Sequence, residues 1–238
     1  MNIDFLNRTI LVTGGTRGIG YHVAKNLNSS GANVIVTGTK DTNIDCGKFL
    51  KADFSTREGI YKFIEIIGEI PRIDGCFNCA GINKISYIED INIEDFDSIM
   101  NVNLYAPFLI SKHLISKMKK NNYGRIVNVS SIWGSITKKG RTSYSVSKNG
   151  IIGLTRSLAV EGANNNVIVN SISPGFTETE LTRKSLSDLD ISDLEKTIPM
   201  GRMADPSEIS NVSLFLLSEC NSYMTGQNII VDGGFSIV

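Results

Sequence analysis

Short apolar runs recur along the chain at "TILVT", "NVIVTG", "GCFNCA", "RIVNVS", "VIVNSIS" and "NIIVDG". They lack the strict polar alternation of a strand with one wet face and read as strands buried on both sides. Longer stretches of helical spacing separate most of them. That alternation predicts an α/β fold, a Rossmann-type doubly wound parallel sheet of about seven strands with helices on both faces. Right-handed crossovers then bring the C-terminal ends of the strands, and any ligand, to one edge. With no repeat, low-complexity segment or linker, residues 1–238 are expected to form a single dinucleotide-binding and catalytic domain. The region 177–200 interrupts the alternation; it is rich in Ser, Thr, Asp and Glu, and Pro174, Pro199 and Pro206 bracket or follow it. A mobile helical lid is expected there.

Composition narrows the functional classes. Lysine plus arginine equals aspartate plus glutamate at 24 each, so no global field draws the chain to nucleic acid or an anionic bilayer. Any anion site must be local. "MNIDFLNRTI" lacks the basic start and apolar run of a signal peptide, and no apolar stretch approaches spanning length, so a cytoplasmic location and no membrane partner are expected. Cys76 and Cys79 form a C-x-x-C within "IDGCFNCAG", but with no second pair and two histidines in the chain they read as buried small side chains. No metal site is expected.

Directly after the first apolar run comes "TGGTRGIG", with Gly14, Gly18 and Gly20 opening a helix that continues "YHVAKNL". Glycines between a strand and a helix free the backbone amides of the helix start to bind a pyrophosphate, which predicts a dinucleotide cofactor. An acid at the end of the second strand would favour NAD; here the strand ends "VTGTK". Thr39, Lys40 and Arg17 make a site for a 2′-phosphate, while Asp41 argues the other way. NADPH/NADP is expected, with NADH the weaker alternative. Farther on, "RTSYSVSKNG" puts Tyr144 and Lys148 on one helix face, where an ammonium lowers the pKa of a phenol. A tyrosine so placed is a general acid or base if something lies within its reach.

Taken together, "TGGTRGIG", "NCAG", Asn103 in "NVNLYAPF", Ser131 in "VSSIWG", "YSVSK" and "SPGFTET" resemble the short-chain dehydrogenase/reductase family over nearly the whole chain, nearest its 3-oxoacyl-acyl-carrier-protein reductase type. The resemblance implies that Tyr144 donates a proton to a ketone oxygen that Ser131 orients. Lys148 would hold the nicotinamide ribose and depress Tyr144, and Asn103 would anchor a water for proton exchange. It also implies a cofactor site of Gly14, Thr16, Arg17, Gly18, Ile19 and Gly20, then Thr39 and Lys40. Asp53, Phe54, Asn78, Ala80 and Gly81 would follow on the adenosine side. Tyr144, Lys148, Pro174, Gly175, Thr177 and Thr179 would close the nicotinamide end. A homotetramer follows from the same resemblance, pairing the helices 105–120 and 142–162 with a further contact at the C-terminal strand.

Three departures qualify that transfer. Cys79 stands where the family usually has a second asparagine. Residues 39–48 replace a longer connection that carries its own helix, which would leave less wall over the adenine. Reductases that act on acyl carrier protein place basic residues beside the entrance, where this chain has "NNYGR" and "GANNNV", although Lys119 and Lys120 are near. On the substrate side, Trp133 offers an apolar face and Lys138, Lys139 and Arg141 a local cation cluster that would attract an anionic substrate; a solvated loop remains the other reading. The substrate is thus a ketone, either bound to acyl carrier protein or small and anionic or sugar-derived. A non-catalytic dinucleotide-binding regulator is the alternative class, and the intact set Asn103, Ser131, Tyr144 and Lys148 argues for the enzyme.

Overall fold

The computed structural model of the protein describes residues 3–180, 182 and 188–238. Strands β1 (Thr9–Thr13), β2 (Asn33–Gly38), β3 (Lys48–Lys51), β4 (Gly75–Asn78), β5 (Gly124–Val129), β6 (Val167–Pro174) and β7 (Asn228–Val231) form one sheet in the order β3-β2-β1-β4-β5-β6-β7. Every pairing is parallel. Six strands coincide with the apolar runs. The remaining one, β3, reads "KFLK", with exposed lysines at both ends that suit an edge.

Successive residues of an inner strand serve opposite layers. Leu11, Ile35, Cys76, Ile126 and Val169 pack with Ile60 and Phe63 of helix α2 (Arg57–Gly68), Ile110 and Leu114 of a later helix, and Leu158 of another. Ile10, Val12, Val34, Phe77, Val127 and Ile172 pack with Val23 and Leu27 of helix α1 (Gly18–Ser29) and with Ile209 and Leu216 of the helix Pro206–Leu217. Because both faces are covered, the strands are apolar throughout rather than alternating. Truncating a core side chain such as Leu11 to alanine is expected to cost about 2–5 kcal/mol.

The chain winds from β1 outward to β3, then crosses back to lay β4 against the free side of β1. Thr13 and Asn78 therefore end as neighbours, and the loops that follow them part in opposite directions, opening a crevice at the switch point. Helix α3 (Ile93–Met100) runs through a π-helical turn, Asn101–Tyr105, into α4 (Ala106–Lys120). The Ala106 amide donates to the Asn101 carbonyl five residues back. Pro107 has no N–H for the Asn103 carbonyl four residues back and crowds it, so the wider turn has a local cause. Helix α5 (Thr142–Gly162) carries the Tyr/Lys pair. The helix Asp188–Lys196 lies within the expected lid, while 181 and 183–187 of that segment fall outside the described residues. Among the described residues, no helix is long and apolar enough to cross a membrane.

Candidate active site

Hydrogen bonds tie the two loops of the crevice to the sheet. Thr37 Oγ1 accepts from the Gly14 amide at 3.2 Å, and Thr13 Oγ1 accepts from the amides of Cys79 and Ala80 at 3.0 and 3.1 Å. A methyl group on Gly14, which has φ of 65°, would lie 2.8 Å from Ala80 Cα, and one on Gly20 would lie 2.4 Å from the Gly14 carbonyl oxygen. Only glycine permits this turn. At the start of α1, Arg17 makes no side-chain capping bond and the first turn holds no acid, so the positive helix end faces outward. This cradle fits the pyrophosphate of a dinucleotide, with Thr16, Gly18 and Ile19 along it. Thr179 reaches across from the far loop, its methyl 3.3 Å from where a Gly18 side chain would start. Gly175 is fixed by its amide to the Val231 carbonyl at 2.9 Å, and the buried Thr177 donates to the Gly175 carbonyl.

Two expected contacts are changed by burial. The Phe54 ring lies in the core, edge-on to Phe63 at 5.2 Å, so its side chain serves packing; exposed Asp53 precedes it and accepts from the Ser55 amide. Asn78 is spent on Asn128 at 2.8 Å and Ser111 at 3.3 Å, which leaves the crevice wall to Ala80 and Gly81. Cys79 follows Asn78, with its amide on Thr13 Oγ1. Burial pushes its thiol up to about 11, against the pull of the Lys148 ammonium. Both cysteines of the C-x-x-C are free, Cys76 within the core.

At the adenosine end, Arg17, Thr39 and Lys40 are exposed. Asp41, the acid that weighed against a phosphate, is ion-paired with Lys51 at 2.8 Å, and this partner holds its carboxyl below the usual range.

The reaction end is enclosed and internally bonded. Ser131 follows β5 and its hydroxyl accepts from the Trp133 amide at 3.2 Å. Ser130 Oγ donates to the Lys148 carbonyl at 2.8 Å, fastening α5 to the strand end. Lys148 Nζ, buried, donates to the Val129 carbonyl at 2.8 Å and lies 5.5 Å from the centre of the Tyr144 ring. Burial brings the Lys148 pKa down to about 8. The Tyr144 phenol is held above its ordinary value by burial, against the neighbouring Ser131 hydroxyl and the charge of Arg141. This differs from the expected depression by Lys148: that ammonium is turned onto a backbone carbonyl, and Arg141 is the cation acting on the phenol. Asn103 Oδ1 accepts from the Ile82 amide at 2.9 Å, while its Nδ2 donates to the Ile82 carbonyl at 2.9 Å and to Ser147 Oγ at 3.0 Å. Ser147 in turn donates to the Tyr144 carbonyl at 2.8 Å. A methyl group on Gly81 would stand 3.6 Å from both Asn103 Oδ1 and Lys148 Nζ, so the two converge on one small opening.

Beside Ser131, Trp133 meets Phe176 and Phe235 edge-on, with ring centres 6.1 and 6.2 Å away. Neither phenylalanine stands out in the sequence; each follows a glycine at the end of a strand or turn. The three loop cations do not act as one cluster. Lys138 stands over the Trp133 ring at 5.6 Å and Lys139 is exposed, whereas Arg141 turns inward over the same ring at 5.7 Å. Arg141 Nε is buried with no hydrogen-bond partner among the described residues. The asparagines expected beside the entrance lie elsewhere in the protomer. Asn122 and Asn166 adopt left-handed turns (φ of 50° and 54°) before β5 and β6, at the edge opposite Ser131, where the Asn166 carbonyl accepts from Arg125 at 3.0 Å.

A seven-stranded parallel sheet with a glycine cradle at its switch point and a Ser, Tyr and Lys set beside it defines a dinucleotide-dependent oxidoreductase. The family profile described as enoyl-(acyl carrier protein) reductase matches residues 14–236. The 3-oxoacyl-[acyl-carrier-protein] reductase FabG of Aquifex aeolicus is 39% identical over 247 residues, covering 98% of this chain and 99% of its own. Among solved structures, a 3-oxoacyl (acyl-carrier-protein) reductase from Agrobacterium tumefaciens with NADP bound superposes with a TM-score of 0.91 at 28% identity, covering 97% of this chain and 95% of that one. A 4-hydroxyisoleucine dehydrogenase complexed with NADH gives 0.90 at 29% identity, covering 96% and 98%. The chain belongs to the short-chain dehydrogenase/reductase family.

Proposed function

We propose that the protein reduces a ketone to a secondary alcohol with NADPH, the ketone being a 3-oxoacyl group carried as a thioester on acyl carrier protein. The observation that carries the chemistry is the Tyr144 phenol set beside the Ser131 hydroxyl, with Lys148 buried one helical turn on. The FabG relatives support the substrate.

The cofactor would lie along Gly14, Thr16, Arg17, Gly18, Ile19 and Gly20. Asp53 and the backbones of Ala80 and Gly81 would border its adenosine half; Pro174, Gly175, Thr177 and Thr179 would close over the other end. When bound, the nicotinamide supplies a hydride to the carbonyl carbon. Ser131 holds the carbonyl oxygen in place, and Tyr144 gives its proton to that oxygen as negative charge develops there. A phenol pKa raised by burial keeps that proton on the enzyme until the oxygen can take it. The tyrosine is then reprotonated through Lys148, whose pKa of about 8 lets it release and regain a proton near neutrality. Asn103 faces Lys148 across the opening at Gly81, which supports a water path to solvent there. The exposed cations Arg17 and Lys40, with Asp41 tied to Lys51, support NADPH over NADH.

One observation favours a second substrate class. The inward guanidinium of Arg141, short of an acceptor beside Tyr144, suits a small anionic or sugar-derived ketone. In keeping with the family, the chain acts as one cytoplasmic domain with residues 177–200 as its lid, and assembles as a homotetramer through α4, α5 and β7. NADPH oxidation with a panel of 3-oxoacyl carrier-protein thioesters, short anionic ketones and neutral ketones tests the reading. Efficient turnover of the thioester is the expected result. Turnover confined to small anionic ketones would transfer the assignment to the second class, and NADPH binding without turnover of any ketone would leave a regulator.

A further inference from the structure

The short connection between β2 and β3 borders an open cavity of about 450 Å³ against the glycine turn, lined by Thr16, Tyr21, Thr42, Asn43, Ile44 and Asp45. Both ends of the connection are pinned. At the start, a methyl group on Gly38 would lie 2.6 Å from the Thr16 methyl. At the end, Gly47 has φ of 146° and passes so close to β2 that a methyl there would lie 2.4 Å from the Val34 carbonyl oxygen, with Cys46 buried beside it. Asp45 therefore sits next to a fixed point rather than on a free loop.

Among the described residues, Asp45 is the only carboxylate lining this cavity. Its oxygens accept from the Tyr21 hydroxyl at 3.1 and 3.4 Å, a bond that reaches from the connection to the first turn of α1. The same bond holds the Tyr21 phenol above its ordinary pKa. Around the cavity the remaining charge is positive. Arg17 lies between Thr16 and Gly18, Lys40 two residues before Thr42, and Lys25 Nζ is 5.9 Å from the Tyr21 ring. Asp41 is occupied by Lys51. Thr16, Thr42 and Asn43 add neutral donors suited to a phosphate.

Resting on the cofactor reading above, we propose that this cavity receives the 2′-substituent of the adenosine ribose, and that the Tyr21–Asp45 pair sets the choice between a 2′-phosphate and a 2′-hydroxyl. Held by Tyr21, the Asp45 carboxylate is directed onto α1 and a 2′-phosphate meets Arg17, Lys40 and the neutral donors. Released, the carboxylate would face the phosphate and repel it, while it could accept a hydrogen bond from a 2′-hydroxyl.

Fluorescence titration of NADPH and NADH into the full chain and three variants reads this without turnover. Tyr21→Phe should weaken NADPH by about fivefold to tenfold and leave NADH within about twofold, because like-charge repulsion acts on the phosphate alone. Asp45→Asn should tighten NADPH, and in the Tyr21→Phe/Asp45→Asn double variant the loss caused by Tyr21→Phe should vanish. Equal weakening of both cofactors by Tyr21→Phe, or a loss that persists in the double variant, overturns the assignment and makes the pair structural. No response to any variant overturns it as well. If the unmodified protein binds NADH as tightly as NADPH, the NADPH reading fails separately; a rise in the NADPH-to-NADH affinity ratio on Asp45→Asn would still uphold the role of the pair.

Discussion

The two ends of the crevice are built on opposite plans. Where β5 meets α5, Lys148, Ser131 and Asn103 are buried and hydrogen-bonded within the fold: Lys148 on the Val129 carbonyl, Ser131 by the Trp133 amide, and Asn103 on the Ile82 backbone and the Ser147 hydroxyl. Where β2 leads into β3, Arg17, Thr39 and Lys40 stand in solvent, and Asp45 at the cavity is held by the Tyr21 hydroxyl rather than a cation. Proton transfer needs fixed geometry and shifted protonation equilibria, which burial supplies. Choosing between cofactors that differ by one phosphate needs only accessible charge of the right sign, and surface loops provide it with little demand on the core.

The strongest way to break this comparison is at the enclosed end. Tyr144→Phe removes the acid while keeping the ring, and turnover should fall by about two to four orders of magnitude with NADPH affinity nearly unchanged. Steady-state kinetics beside a cofactor titration checks it; near-normal turnover would take Tyr144 out of the chemistry.

Lys148 tests whether enclosure is what shifts the equilibria. Its pKa moves from 10.5 to about 8 on folding. Between those values the unfolded chain holds the extra proton, so stability rises with pH across that window, and the penalty of the buried ammonium is greatest below it. Lys148→Met lacks this dependence. Its stability relative to the parent should drop by up to about 3 kcal/mol as pH is raised from 8 to 10.5, measured by urea unfolding at each pH. Parallel curves for the two proteins would mean that Lys148 is not desolvated as described.

At the open end, effects should be smaller and specific. Each charge-assisted contact to a phosphate is worth about 1.5–3 kcal/mol, so Arg17→Ala should lose roughly one to two decades of NADPH preference in kcat/KM and little NADH activity. Loss of activity with both cofactors alike would assign Arg17 to the turn itself.

Arg141 turns into the enclosed end, while the two lysines of its loop stand in solvent on the rim of that same end. Arg141→Gln should raise KM for an anionic ketone by about tenfold and leave a neutral ketone nearly unchanged, while replacing Lys138 and Lys139 together should change either by less than about threefold. Equal losses for neutral and anionic substrates in Arg141→Gln would make that side chain a support for Tyr144.

The strand runs, the glycine turn, and the spacing from Ser131 through Tyr144 to Lys148 are legible in the chain, because two-sided burial forces continuous apolar strands and a helical turn fixes which side chains share a face. Hence the sheet and the position of the cradle follow from local pattern, while the set of Asn103, Ser131, Tyr144 and Lys148 is legible through the family resemblance. Local pattern does not say what a side chain meets across the fold. Phe54 and Asn78 sit at positions expected to border the cofactor yet point into the core, onto Phe63 and Asn128. The pairing of Lys148 with Val129, the inward turn of Arg141, and the Phe176 and Phe235 wall around Trp133 all join residues far apart in sequence. So does the bond from Asp45 to Tyr21 that shapes the adenosine end. Such contacts, and the protonation states they set, depend on distances between separate elements and on the water those elements exclude, and only tertiary packing decides these.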